Sequence, residues 1–165
     1  MFGGYLLCLW TLTFLPKTRG EKLPSNFHPR ITVIIAAHNE AAVIRQRIEN
    51  LFDTNYPLDR VSILVASDGS SDDTVAVAHA QNNKQGFVTA VEVVPQAGRA
   101  GAHHFAIAHL RATDALDEVL VFTDAETLFD RATLSELVQP FGDPKTGYVA
   151  GRLVYANQHT TDFTQ

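Results

Sequence analysis

The sequence predicts an α/β fold built on a mainly parallel sheet with helices on both faces. Three observations lead there. Short runs of almost unbroken apolar residues recur along the chain, the pattern of strands buried on both sides. Helix-length segments separate these runs, as the crossovers between parallel neighbours require. Polar, acidic and glycine residues gather at the C-terminal ends of the runs, where open sheets of this kind bind ligands.

The expected order is βαβαβαβαβ. "ITVIIAA" (31–37) is the first strand, and a helical stretch follows from Glu40 to about Phe52. "VSILVAS" (61–67) is the second. A helix from about Asp72 comes next, with Ser70 and Ser71 as candidate caps and Asp72 and Asp73 placed where the helix dipole favours negative charge. "VTAVEVV" (88–94) is the third strand, followed by a helix from about Ala100 to Ala112. "EVLVFTD" (118–124) is the fourth, with a helix from about Ala132, and "YVAGRLVY" (148–155) is expected as a fifth.

Upstream of Ile31, "LPSNFHPR" (23–30) carries two prolines and reads as the end of a linker that begins with the basic "KTRGEK" at residue 17. Before it, residues 1–16, "MFGGYLLCLWTLTFLP", are nearly all apolar. They fall short of the roughly 20 needed to span a bilayer, and no small-residue cleavage site follows. The expected reading is the last part of a membrane anchor. Lys17, Arg19 and Lys22 would flank it on the cytoplasmic side, with Tyr5 and Trp10 suited to the interface; an amphipathic or core helix is the alternative. The domain expected from 31 to 165 would then face the cytoplasm at the inner membrane.

Bulk properties narrow the function classes. The 165 residues make one domain or part of one, and 45% hydrophobic with 19% charged residues is a globular composition. Thirteen basic against 18 acidic residues leave a net charge of −5 with no clustered basic face, which argues against a nucleic-acid partner. The single Cys8 excludes an internal disulfide and every Cys-rich metal site.

The strand ends are "AAHNE" (36–40), "SDGSSDDT" (67–74), "PQAGRAG" (95–101) and "TDAET" (123–127). Asp124 and Glu126 are spaced i, i+2, so on an extended segment both point the same way. As hard oxygen ligands they suit Mg²⁺ or Mn²⁺; otherwise they are solvated carboxylates in a turn. Asp68, followed by Gly69, either accepts hydrogen bonds from a base or ribose or caps the next helix. Asn39 and Glu40 open the first helix, Glu40 as a dipole partner or a nucleotide contact. Gly98, Arg99 and Gly101 form a small-residue loop with one cation, suited to a diphosphate at a helix N-terminus, although a lone Arg in a loop is commonly just solvated. His103 and His104 are adjacent, would not face one ligand from a helix, and are expected to be structural or surface residues.

Together "ITVIIAAHNEAAVI", "VSILVASDGSSDDTV", "GRAGAHHFAIAH", "VLVFTDAETLF" and "YVAGRL" resemble the family 2 glycosyltransferases, the inverting, nucleotide-sugar-dependent enzymes of the Rossmann-like GT-A fold. The resemblance covers roughly Ile31 to Val154. It implies that Asp68 binds uracil or ribose, that Ala37, Asn39 and Glu40 line the nucleotide pocket, and that Asp124 and Glu126 match the family's D-x-D pair. The implied donor is a nucleotide sugar, UDP-linked, and the acceptor a glycan or a lipid-linked molecule. The apolar leader resembles the membrane helix of polysaccharide-forming members. Arg99 stands where the family usually has Lys, keeping the charge with a different geometry; Glu126 stands where many members have Asp. The family's acidic general base and its "QxxRW" acceptor segment lie downstream of the D-x-D, and neither occurs before Gln165. The sequence is therefore expected to hold the donor half of a truncated domain. Rival expectations are a non-catalytic nucleotide-binding fragment and a haloacid-dehalogenase-like phosphatase, whose D-x-D-x-T "FTDAET" nearly copies.

Overall fold

The computed structural model describes residues 27–82 and 87–152. Its strands are β1 (Ile31–Ala37), β2 (Val61–Asp68), β3 (Phe87–Val93) and β4 (Val119–Asp124). The helices between and after them are α1 (Ile44–Phe52), α2 (Thr74–His79), α3 (Gly98–Ala112) and α4 (Thr133–Val138), with short 3₁₀ turns at Leu58–Arg60 and Gln139–Gly142. Among the described residues the sheet has four strands in the order β3-β2-β1-β4, all parallel. Ile31 of β1 pairs with Val61 on one side and Val119 on the other.

The apolar runs are explained by two cores, one on each face of the sheet. Side chains alternate across a strand, so Ile31, Val33 and Ile35 pack with Ile44, Ile48 and Leu51 of α1, Ala78 of α2, and Leu134 and Val138 of α4. Ile34, Leu64, Ala66 and Val93 meet Ala102, Ala106 and Leu110 of α3 on the opposite face. The apolar residues of β1 from Ile31 to Ile35 are 0% exposed, and burying an Ile contributes about 1.5–3 kcal/mol relative to exposure. Apolar residues at i, i+4 and i+7 give α1 its inward stripe, and Arg47 falls on that same stripe. On α3 the inward positions i and i+4 are alanines.

Several boundaries differ from the sequence reading. α1 starts at Ile44 rather than Glu40, because Asn39 has φ +57 and residues 41–43 form a turn in which the Glu40 carbonyl accepts from both Val43 and Ile44. α3 starts at Gly98, so Gly98, Arg99 and Gly101 belong to its first turn rather than to a loop. α2 starts at Thr74 with Asp73 at its N-cap, and Asp72, one residue earlier, receives the Thr74 N–H on Oδ1 at 3.0 Å. Ser70 and Ser71 bond to Asn39 instead. Of the expected fifth strand, residues 148–152 are irregular, and 153–155 lie outside the described residues.

The expected anchor (1–16) and most of the linker also lie outside them, and no helix among the described residues is long and apolar enough to cross a membrane. The linker's end is docked: Tyr56 donates its hydroxyl to the Pro29 carbonyl at 2.7 Å, and the His28 and Tyr56 rings meet edge-on at 5.2 Å.

Candidate active site

With strand order β3-β2-β1-β4, the chain winds one way from β1 to β3 and the other way to β4. The switch leaves a crevice beyond the C-terminal ends of β1 and β4. A cleft of about 340 Å³ occupies it. Ala37, His38 and Glu40 line it after β1, Asp68 after β2, Gln96, Gly98 and Arg99 at the start of α3, and Asp124, Ala125 and Glu126 after β4. Four distant stretches of sequence thus form one wall.

Asp68 is 5% exposed. Its Oδ1 accepts the Ala97 N–H at 2.7 Å, which ties the start of α3 to β2, and only this oxygen is committed among the described residues. The Asp68 carbonyl accepts from His38 Nδ1 at 2.7 Å. That bond places the ring proton on Nδ1 and leaves Nε2 to accept from Asn39 Nδ2 at 3.3 Å. Gly69 has φ +65, and a Cβ there would stand 3.1 Å from Gln96 Cβ, so both conformation and space favour glycine.

The loop after β1 is stitched to the loop after β2. Asn39 N–H donates to Ser70 Oγ (3.0 Å), Asn39 Oδ1 accepts the Ser71 N–H (2.8 Å), Glu40 N–H donates to Thr74 Oγ1 (2.9 Å), and Ala41 N–H donates to Asp72 Oδ2 (3.1 Å). Asn39 and Gly69 therefore shape the wall without lining the cleft. Glu40 does line it, with its pKa raised first by burial, then by the charges of Glu126 and Asp72, against an opposing pull from His38.

Asp124 ends β4, and its Oδ2 lies 3.1 Å from Arg99 Nη1. Side chains 70% and 41% exposed make this a weak ion pair, one that a ligand can displace. Glu126 lies in a turn in which the Thr127 N–H donates to the Asp124 carbonyl at 3.3 Å. The extended geometry expected of the pair is absent, yet both side chains line one cleft. His103 packs on Phe122 with ring centroids 5.0 Å apart, its Nε2 is buried without a partner among the described residues, and burial lowers its pKa. His104 is exposed, as expected.

His38 and Gln96 were not singled out from sequence. Both stand inside the strand-end segments, so position was the available signal, but neither carries the charge that marks its neighbours.

The glycosyl transferase family 2 model matches residues 32–165. The chain belongs to that family. Among curated relatives it is 30% identical to the probable glycosyltransferase YdaM of Bacillus subtilis (strain 168), over 83% of this chain and 32% of the relative. It is 29% identical to the beta-monoglucosyldiacylglycerol synthase of Synechocystis sp. (strain ATCC 27184 / PCC 6803 / Kazusa), over 84% of this chain and 28% of that one. Among solved structures, the mannosyltransferase of Pyrobaculum calidifontis in complex with GDP-Man and Mn²⁺ superposes with TM-score 0.69 at 31% identity, covering 87% of this chain and 41% of the other. The chain thus spans about a third of the curated relatives it matches. Family 2 membership gives the Rossmann-like GT-A fold and sets aside the phosphatase reading.

Proposed function

We propose that this chain forms the donor-binding part of an inverting glycosyltransferase, which moves a sugar from a UDP-linked donor to a glycan or lipid-linked acceptor. The observation that carries the reading is the convergence of Asp68, Arg99, Asp124 and Glu126 on one cleft at the topological switch. Asp68 receives hydrogen bonds from the base or ribose. Ala37 and Glu40 form the adjoining wall, and Asn39 and Gly69 hold its shape. Gly98 and Arg99, in the first turn of a 15-residue helix, meet the diphosphate, where the helix dipole and the guanidinium both favour an anion.

Asp124 and Glu126 would hold Mg²⁺ or Mn²⁺. The donor set fits: Asp124 and Glu126 line the cleft together with the carboxylates of Glu40 and Asp68, and no group of three His, Cys, Asp or Glu among the described residues is arranged to hold a metal ion by itself. These ions use one or two protein carboxylates and complete their shell with water and substrate phosphate. When bound, the ion supplies neutralisation of the charge on the leaving diphosphate. Inversion also needs a base to take the acceptor proton, and no described residue is assigned that role. The solved mannosyltransferase is in complex with GDP-Man, so GDP is the nucleotide to set against UDP. We further propose that the apolar segment 1–16, with its basic flank, anchors the protein to the inner membrane with the catalytic domain in the cytoplasm.

Calorimetric titration of the protein and its Asp124→Asn variant with UDP and with GDP, each with and without Mn²⁺, tests the site. UDP should bind saturably and more tightly with Mn²⁺, and Asp124→Asn should lose at least tenfold of the Mn²⁺-dependent gain with unchanged circular dichroism. Undiminished gain in a folded variant would remove the metal role. Preference for GDP would correct the base.

A further inference from the structure

Arg47 lies on the buried face of α1 and is 0% exposed. No carboxylate pairs with it among the described residues, where the ion pairs join Arg30 to Asp117, Arg99 to Asp124 and Arg131 to Asp53. Its partners are neutral. Nη1 donates to Asn50 Oδ1 at 2.8 Å, Nη2 donates to Thr123 Oγ1 at 3.2 Å, and the guanidinium carbon stands 4.2 Å from the Phe129 ring centroid. Nε is buried with no hydrogen-bond partner among the described residues. Burial pushes the pKa down to about 10, so the group is still charged at neutral pH.

A buried charge met only by neutral dipoles is costly, and even buried ion pairs are often replaced by apolar residues of similar volume without loss of stability. Stability alone does not account for an arginine here. Its contacts do. Thr123 immediately precedes Asp124, and Phe129 follows the turn that carries Glu126. Asn50 Oδ1 accepts the Phe129 N–H at 2.8 Å while Asn50 Nδ2 donates to the Phe129 carbonyl at 2.9 Å. One turn of α1 therefore grips the 124–128 loop at both ends. Arg47 links the two grips, because its Nη1 meets the same Asn50 oxygen that receives Phe129.

We infer that Arg47 is a positioning residue for the acid pair, locking Thr123 directly and Phe129 through Asn50 so that Asp124 and Glu126 keep one spacing for a divalent cation. This rests on the reading of those carboxylates as cation ligands.

The test compares Arg47→Met and Thr123→Val with the wild-type protein by hydrogen exchange and by UDP titration with and without Mn²⁺. Thr123→Val keeps the β-branched shape and removes only the hydroxyl. In Arg47→Met, amides of 124–129 should exchange at least tenfold faster while those of β1 keep their protection. The Mn²⁺-dependent gain in UDP affinity should fall at least tenfold, metal-free affinity should stay within twofold, and the melting temperature should not drop. Thr123→Val should move the same readouts in the same direction by a smaller factor, and it decides the matter if Arg47→Met does not fold. Wild-type exchange of the loop in a folded variant overturns the clamp. Faster loop exchange with an undiminished Mn²⁺ gain, or equal loss of metal-free affinity, overturns the positioning role. Absence of any Mn²⁺ gain in the wild type would overturn the cation reading instead, and loop exchange would still decide the clamp.

Discussion

Glu40 shows how one residue reports on the cleft. Its pKa is raised by burial first and by Glu126 and Asp72 next, so the folded state penalises its ionised form. Stability is then greatest where Glu40 is protonated in both states, below its ordinary value of 4.5, and falls as pH rises through the folded-state pKa. Glu40→Gln should therefore raise the melting temperature at neutral pH, by on the order of 1–3 °C, and the gain should vanish well below the ordinary carboxylate pKa. Thermal melts of both proteins across that range check it; a gain that persists in acid would refute the electrostatic cause. Among single residues, Asp68, Arg99, Asp124 and Glu126 were legible in the sequence because charge at a strand end is conspicuous. His38, Gln96 and Arg47 were not. His38 and Gln96 join the site only when the strands align, and Arg47 reads in sequence as a polar interruption of an apolar helix stripe.

At the scale of elements, β1 and β2 were the most legible because both are buried on two faces and read as unbroken apolar runs, whereas β3 and β4 carry exposed positions. Helix starts were harder. The left-handed backbone at Asn39 and at Gly98, φ +57 and +72, interrupts or opens a helix without any change in hydrophobic pattern. Capping was misplaced for a similar reason: Ser70 and Ser71 have the chemistry of caps, but their bonds go across to Asn39. α1 now carries two duties, covering the sheet and holding the acid loop, and they separate by residue. Ile48, 0% exposed, serves the first. Ile48→Ala should cost about 2–5 kcal/mol, the usual range for emptying a buried site of that size, measured by urea unfolding. Once allowance is made for the folded fraction, metal-free UDP affinity should be unchanged; a stability loss below 0.5 kcal/mol would contradict the packing described.

For the molecule as a whole, strand order is what turns scattered residues into a site. The sequence carried the parallel sheet and its ligand edge. It could not carry the neighbour relation of β4 and β1, which brings Glu126 within charge reach of Glu40 and Asp124 beside Arg99. Nor could it settle the stretch after Tyr148, whose described part is irregular although its composition suits a strand. The proposed anchor belongs to this scale too. Deleting residues 1–22 should move the protein from the membrane pellet to the soluble fraction on centrifugation without altering nucleotide affinity, and a full-length protein already soluble would contradict the anchor.

The central place of β1 also has a kinetic consequence. β1 pairs with β2 soon after it in sequence, but its other neighbour arrives late, with Arg30 and Glu118 lying 88 residues apart. While the chain emerges from the ribosome, β1 must therefore exist for a time as an edge strand, apolar and open to foreign partners. β4 ends that exposure by docking, and the same event delivers the acid pair. Covering of β1 and assembly of the cleft are one step in the life of the molecule, so a chain stalled before Val119 is both sticky and without a site.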